Sequence, residues 1–269
     1  MHPLTNIAVK AARQAGKTIL HKSYRMDQLR ADLKGARDYV TNIDLLAERQ
    51  IVEVIHNAYP DHAILAEEQH SRPGVDYEWI IDPLDGTTNY IHGIPSYCVS
   101  IAVRRNARVE HGVIYDPVHE ELFTASIGEG ALVNNRRIRT SPISNLEHTL
   151  IATGFPFRED DSVDLWVDIF RELAKKTSGI RRPGSAALDL AFVACGRYDG
   201  FWETGLKPWD VAAGSLLIQE SGGIVSDFNG QQNFLDSGTI VAGNPSVHDQ
   251  LLKIVRKKHQ NHLANSTPK

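Results

Sequence analysis

Apolar residues return at helical spacing at the start of the chain: Leu4, Ile7, Ala8, Ala11, Ala12, Ala15 and Ile19 fall on one face. This rhythm predicts an opening amphipathic helix. A polar segment around "DLKGARDY" follows, and a second helix is expected from Thr41. Ile43, Ala47, Ile51, Val54 and Ala58 would line its buried face, and it would stop before Pro60. "HAILA" and "EWIID" are short apolar runs bounded by charges or turn residues, and they read as strands.

From Ser96 the period changes. "YCVSIAVRR", "RVEHGVIYD" and "ELFTAS" are separated by short turns at Asn106 and Asp116-Pro117, the pattern of an antiparallel meander, and "GEGALVNNRRIR" adds a hairpin. Beyond about Ser144 strands and helices alternate. "TLIATGF" reads as a strand, "DSVDLWVDIFRELAKK" and "SAALDLAFVACG" as helices, and "YDGFWE" as a strand. "WDVAAGSLLIQESG" is a helix, "GIVSD" and "TIVAGN" are strands, a last helix starts after Pro245, and the tail "NHLANSTPK" is expected to fray. The pattern divides into an α+β half over residues 1–144 and an α/β half over 145–269, sharing one interface where a small-molecule site is expected.

Composition narrows the classes. At 269 residues, 42% hydrophobic and 23% charged, the chain is an ordinary globular protein, and its net charge of −4 argues against a dedicated nucleic-acid binder. The basic clusters at Arg136–Arg139, before Pro183 and near the C-terminus read first as solvated faces. Two cysteines, Cys98 and Cys195, sit in apolar runs and make neither a disulfide framework nor a CxxC pair. The first residues lack a signal peptide's apolar block and no run approaches membrane-spanning length, so a cytoplasmic location and no membrane contact are expected.

The chemistry lies in acids that end apolar runs. Glu67 and Glu68 follow "AILA", Asp82 ends "WII", Asp85 lies one short turn on, Glu203 ends "DGFW", and Asp210 opens a helix after "KPW". Strand ends are where α/β proteins place ligand sites. Two like charges 4 Å apart cost about 4 kcal/mol at an effective dielectric near 20, so converging carboxylates demand a cation. An all-oxygen donor set suits Mg²⁺, and no His/Cys cluster suggests zinc. Gly86, Thr87 and Thr88, at the start of a helix, would offer amide and hydroxyl donors to an anion. Cations beside an anion cradle point to metal-assisted phosphate ester hydrolysis. Each element also has a plainer reading: a Pro-Asp-Gly turn at 82–86, a capping box between Thr41 and Asp44, a helix-start acid at Asp210, a solvated pair at Glu67-Glu68.

Taken together, "WIIDPLDGTTN", the upstream "AEE" and "KPWDVAAGSLLIQESGG" resemble the signatures of the inositol monophosphatase family, with "VTNID", "GSAALDLAFVACGRYDGFWE" and "IVAGN" in the same order. The resemblance spans about residues 2–255 and, through "ATGFPF" and "GSAALDLA", is strongest to the bacterial SuhB-type branch. It implies the layered α-β-α-β-α sandwich shared by inositol monophosphatases and fructose-1,6-bisphosphatases. It further implies two to three Mg²⁺, one on Glu67, Asp82 and the Leu84 carbonyl, a second on Asp82, Asp85 and Asp210, and a weaker third near Glu67. By the same resemblance, Thr87 and Asp44 pair and orient the attacking water with Glu67, the Gly86 and Thr87 amides hold phosphate, and Asp85, Gly184, Ser185, Ala186, Glu203 and Asp210 meet the substrate.

The implied activity is hydrolysis of myo-inositol 1-phosphate or a related phosphate monoester, inhibited by Li⁺, in a homodimer. Sister activities on the same fold are a fructose-1,6-bisphosphatase, a histidinol-phosphate phosphatase, or an adenosine bisphosphate nucleotidase, the last disfavoured by Thr88-Asn89. Relatives of the SuhB type also act with Nus factors and RNA polymerase in ribosomal RNA antitermination, which implies a scaffold role involving a surface near Arg181 and Arg182. Gln69, where the family often carries Ser, and Lys207-Pro208 depart from the family pattern without touching the implied metal ligands.

Overall fold

A computed structural model describes residues 2–23, 31–35, 38–156 and 162–266. The order is α1 (Pro3–Ser23), β1 (Ala31–Gly35), β2 (Asp38–Thr41), α2 (Asn42–Ala58), β3 (Ala63–Ala66), β4 (Ser71–Arg72), β5 (Glu78–Asp85), α3 (Thr87–Ile91), β6 (Cys98–Arg105), β7 (Arg108–Asp116) and β8 (Glu121–Ser126). It continues with β9 (Gly130–Val133), β10 (Arg136–Arg137), β11 (Leu150–Thr153), α4 (Val163–Leu173), β12 (Gly179–Arg181), α5 (Ala186–Ala194) and β13 (Gly200–Thr204). Last come α6 (Pro208–Glu220), β14 (Ile224–Ser226), α7 (Phe234–Ser237), β15 (Thr239–Gly243) and α8 (Pro245–Ser266).

Eight strands form one sheet in the order β10-β9-β8-β7-β6-β5-β3-β4, antiparallel except at β3–β5. Five form a second, β12-β11-β13-β15-β14, parallel on the β12–β11–β13 side and antiparallel beyond it. Helices α1 and α2 pack on one face of the large sheet, α5 and α6 lie between the sheets, and α4 and α8 cover the far face of the small one. The result is the α-β-α-β-α layering. Three apolar cores fill the gaps, and the central one, with Ile80, Ile114, Phe123, Leu190, Leu217 and Phe201, joins both sheets through α5 and α6.

Three expectations need correction. The polar segment after α1 contributes a hairpin, β1–β2, since Asp38–Thr41 pairs back on Ala31–Gly35; residues 24–30, 36–37, 157–161 and 267–269 lie outside the described residues. The C-terminal tail does not fray at Asn261: α8 runs to Ser266. And β5 does not stop at Asp82. Its pairing with β6 skips Pro83 and Leu84 and resumes at Asp85 opposite Cys98. Proline has no N–H to give the ladder, so the strand bulges there and turns its acids toward one end of the sheet.

Candidate active site

Asp82 is the most constrained acid of the group. It is only 2% exposed, and its Oδ1 accepts the Leu84 amide across the bulge at 3.0 Å. Burial drives its carboxyl well above the ordinary range, and the charges of Glu67, Asp85 and Asp210 push it further. Glu67 also lies within hydrogen-bonding reach of it. The four carboxylates therefore sense one another across a single cavity of about 340 Å³. Its wall includes Glu67, Asp82, Leu84, Asp85, Gly86, Thr87, Gly184, Ser185, Ala186, Glu203 and Asp210. These are all the expected site residues except Asp44, which stands behind Thr87.

Asp82, Asp85 and Asp210 are each aimed by a main-chain donor. Asp85 reaches from β5 to the start of α5, where its Oδ2 accepts the Ser185 hydroxyl at 2.6 Å and the Ala187 amide at 2.7 Å. Burial raises its carboxyl to about 6, and the Ser185 bond opposes that rise. Asp210, at the third position of α6, accepts the Lys207 amide at 2.7 Å. The plainer reading of Asp210 as a helix-start acid holds, and the same bond orients the side chain at the cavity.

Asp44 likewise has two duties. Thr41 caps α2, its hydroxyl accepting from the Ile43 and Asp44 amides, while Asp44 Oδ2 accepts the Thr41 amide at 2.9 Å and bonds the Thr41 hydroxyl. That is a complete capping box. Oδ1 remains for the Thr87 hydroxyl, 2.9 Å away, which is also 3.0 Å from the Leu84 carbonyl oxygen. Asp44 is fully buried, which pushes its carboxyl up to about 6 against these hydrogen bonds. The left-handed turn that starts α3 requires Gly86: its φ is +98°, and a Cβ there would stand 2.8 Å from the Ser96 carbonyl oxygen.

Several supporting residues escape sequence reasoning. Glu48, fully buried on α2, accepts the Glu68, Gln69 and His70 amides at 2.8, 2.8 and 3.0 Å, pinning the turn that carries Glu67. An acid four residues after Asp44, on a face otherwise apolar, was the available signal. Asn89 donates to the Ser96 and Pro183 carbonyls at 2.7 and 2.8 Å and so fixes the loop before α5. Gly154 lets Glu203 lie against its backbone, since a Cβ there would fall 1.8 Å from Glu203 Oε1. Asp189 and Arg182 also line the cavity. Arg182, expected on a partner surface, sets its guanidinium 5.2 Å over the half-exposed ring of Phe155 at the cavity mouth.

The donor set fits Mg²⁺. Every candidate ligand is an oxygen, and a fully buried Asp82 among three further acids is charged only if a cation shares the cavity. Among the described residues no three His, Cys, Asp or Glu side chains converge as a ready-made cage, so the fit rests on this chemistry.

The profile of the inositol monophosphatase family matches residues 1–260. The chain is 52% identical over 262 residues to a protein of Pseudomonas aeruginosa named Nus factor SuhB, covering 95% of this chain and 97% of that one. The crystal structure of the extragenic suppressor protein SuhB from Bartonella henselae superimposes with a TM-score of 0.92 at 41% identity, over 95% of this chain and 99% of that one. An inositol monophosphatase structure from Anabaena gives 0.81 at 40% identity, over 94% and 95%. The chain belongs to the inositol monophosphatase family.

Proposed function

We propose that the chain is a Mg²⁺-dependent phosphomonoesterase that hydrolyses myo-inositol 1-phosphate and related polyol phosphates, and that Li⁺ inhibits it. The observation that carries this reading is the gathering of Glu67, Asp82, Asp85 and Asp210 around one cavity whose rim includes Gly86 and Thr87. Glu67, Asp82, Asp85, Asp210 and the Leu84 carbonyl would hold two to three Mg²⁺. Bound there, Mg²⁺ would supply a Lewis acid that makes water nucleophilic near neutral pH and offsets charge on the phosphoryl group.

The remaining chemistry belongs to the chain. The Gly86 and Thr87 amides hold the phosphate oxygens. Thr87, held to Asp44 by its hydroxyl, orients the attacking water together with Glu67. Asp85, Gly184, Ser185, Ala186, Glu203 and Asp210 face the alcohol portion. The test is phosphate release from inositol 1-phosphate, fructose 1,6-bisphosphate and adenosine bisphosphate, with Mg²⁺ and after chelation. Hydrolysis of the first, abolished by chelation, supports the reading; failure to cleave it in Mg²⁺ ends it.

A second role is favoured by one observation, the name Nus factor carried by the 52% identical relative. In this reading the chain, as a cytoplasmic homodimer, also joins RNA polymerase and Nus factors in antitermination. Asp85→Asn separates the two: phosphatase activity is lost while partner binding persists. No helix among the described residues is long and apolar enough to cross a membrane.

A further inference from the structure

The loop between β13 and α6 separates two cavities. Thr204, Gly205 and Leu206 belong to the active-site wall, and the same three residues, joined by Lys207, also wall a second space of about 630 Å³. Helix α8 and the turn after α7 close its other side, and none of the expected site residues lines it.

The two cavities differ in charge. Carboxylates surround the first. Among the described residues, the second is lined by three basic side chains, Lys207, His259 and His262, against one acid, Asp236. His259 and His262 stand three residues apart on α8, on one face of the helix. The His259 ring is set edge-on to Phe228, with centroids 5.7 Å apart. Burial, then the nearby His262, holds His259 below the ordinary histidine range, while Asp227 opposes this. An anion between the two rings would relieve their mutual repulsion. Ser237 and Thr239, whose hydroxyls lie 3.2 Å apart, add donors to the same lining. A metal is the poorer match, because no three His, Cys, Asp or Glu side chains among the described residues come together to hold one.

The dividing loop is tied on both sides. The Leu206 amide donates to the Gly238 carbonyl at 3.1 Å, and Thr204 pairs with Thr239 at the end of the β13–β15 ladder. One residue on, the Lys207 amide holds Asp210 at 2.7 Å. A ligand that draws the Lys207 side chain inward therefore pulls on the segment that aims Asp210.

We propose that the second cavity binds a small oxyanion of the phosphate type through Lys207, His259 and His262, and that its occupation is passed through the 204–208 loop to Asp210, lowering turnover. The binding half stands on the cavity alone; the effect on turnover rests on the phosphatase reading above.

Histidine NMR on the full chain in a chelator tests the binding half, since without a cation the carboxylates of the first cavity repel phosphate. The His259 and His262 signals, assigned with His259→Gln and His262→Gln, should shift saturably with inorganic phosphate and stay put in chloride of equal ionic strength. Lys207→Ala keeps its amide and should weaken the binding roughly tenfold. Glycerol 2-phosphate in place of inorganic phosphate tells an ester from the free ion, and tighter binding of either names the ligand. In Mg²⁺, phosphate should raise KM for inositol 1-phosphate at the active site and also lower kcat severalfold from the second cavity. The double variant His259→Gln/His262→Gln, matching wild type without phosphate, should keep the first effect and lose the second. Unmoved histidine signals, an equal shift in chloride, or a kcat effect that survives in a double variant melting as wild type does would each overturn the proposal. If wild type hydrolyses nothing, the phosphatase reading fails, and the NMR titration still decides whether the cavity binds phosphate.

Discussion

The Ser185 hydroxyl donates to Asp85 Oδ2 over 2.6 Å, across one hundred residues of sequence. This bond joins the bulged end of β5 in the large sheet to the cap of α5 between the sheets. Ser185 is itself buried, and its oxygen also accepts weakly from the Leu188 amide at 3.4 Å. One hydroxyl thus caps a helix and holds a carboxylate at a fixed angle to the cavity.

Removing that hydroxyl should therefore act on ligand geometry before it acts on the fold. Ser185→Ala keeps the Ala187 amide bond but loses the other restraint, and changes of this kind typically cost about 10–100-fold in metal affinity or activity. The expected result is a higher Mg²⁺ concentration at half-maximal activity, with stability lowered by only about 1 kcal/mol from the lost cap. A Mg²⁺ titration of phosphate release, paired with urea unfolding, checks both halves.

Glu48 tests whether a residue remote from the cavity sets the position of Glu67. Its carboxylate receives three main-chain amides and sits 2.6 Å from His70 Nδ1. Truncation strands these donors beneath a partly exposed turn, at about 1–3 kcal/mol for each that water cannot reach. Glu48→Ala should lose about 3 kcal/mol in urea and most of its activity. Glu48→Gln, which can still accept from the amides, should be damaged much less. Equal behaviour of the two variants would contradict the role.

At the alcohol end, Gly154→Ala should displace the Glu203 carboxylate, since the added methyl and Oε1 cannot share the space. Raised KM for a polyol phosphate, with kcat changed less, is the expected signature. A crystal structure of the variant would show Glu203 turned from its present position.

Away from the site, His111 links α1 to the large sheet. Its ring stacks on His2 at 4.2 Å, and Nδ1 lies 3.2 and 3.0 Å from the Thr5 and Ser126 hydroxyls. Burial, then the nearby His2, holds its pKa down to about 4. An unfolded histidine takes up a proton near pH 6.5, so between pH 6.5 and about 4 the unfolded chain binds a proton that the native one refuses. Stability falls as pH drops through that window, and the loss is complete below it. Allowing for solvent screening, His111→Gln should lose about 1 kcal/mol less than wild type between pH 7 and pH 5. Identical pH dependence in urea would count against this.

Much of this architecture is legible in the chain because its periods are clean. The apolar face of α1, the Thr41 start of α2 and the meander from Cys98 to Ser126 follow from spacing alone, and in the structure they stand where spacing puts them. Hairpin β1–β2 escapes because its residues are polar and its pairing is local. The β5 bulge escapes because Pro83 reads as a terminator, whereas only a partner strand shows that pairing resumes at Asp85. At the site, acids ending apolar runs announce themselves, and the long signatures say which acids belong together. Glu48, Asn89 and Gly154 do not, because each works through a main-chain group or a vacated volume supplied by a distant segment. Asp189 was visible as the lone charge in an apolar helix, but nothing in the sequence says that the cavity reaches it.

The central claim is that the carboxylates around Asp82 form a cation site that presents a phosphoryl group to water. Crystals soaked in Mn²⁺ and phosphate, with anomalous scattering recorded at the manganese edge, test this most directly. Anomalous peaks within coordination distance of Glu67, Asp82, Asp85 and Asp210, with phosphate against the Gly86 and Thr87 amides, are the predicted outcome. Manganese bound elsewhere, with these four side chains contacting only protein and water, would contradict it.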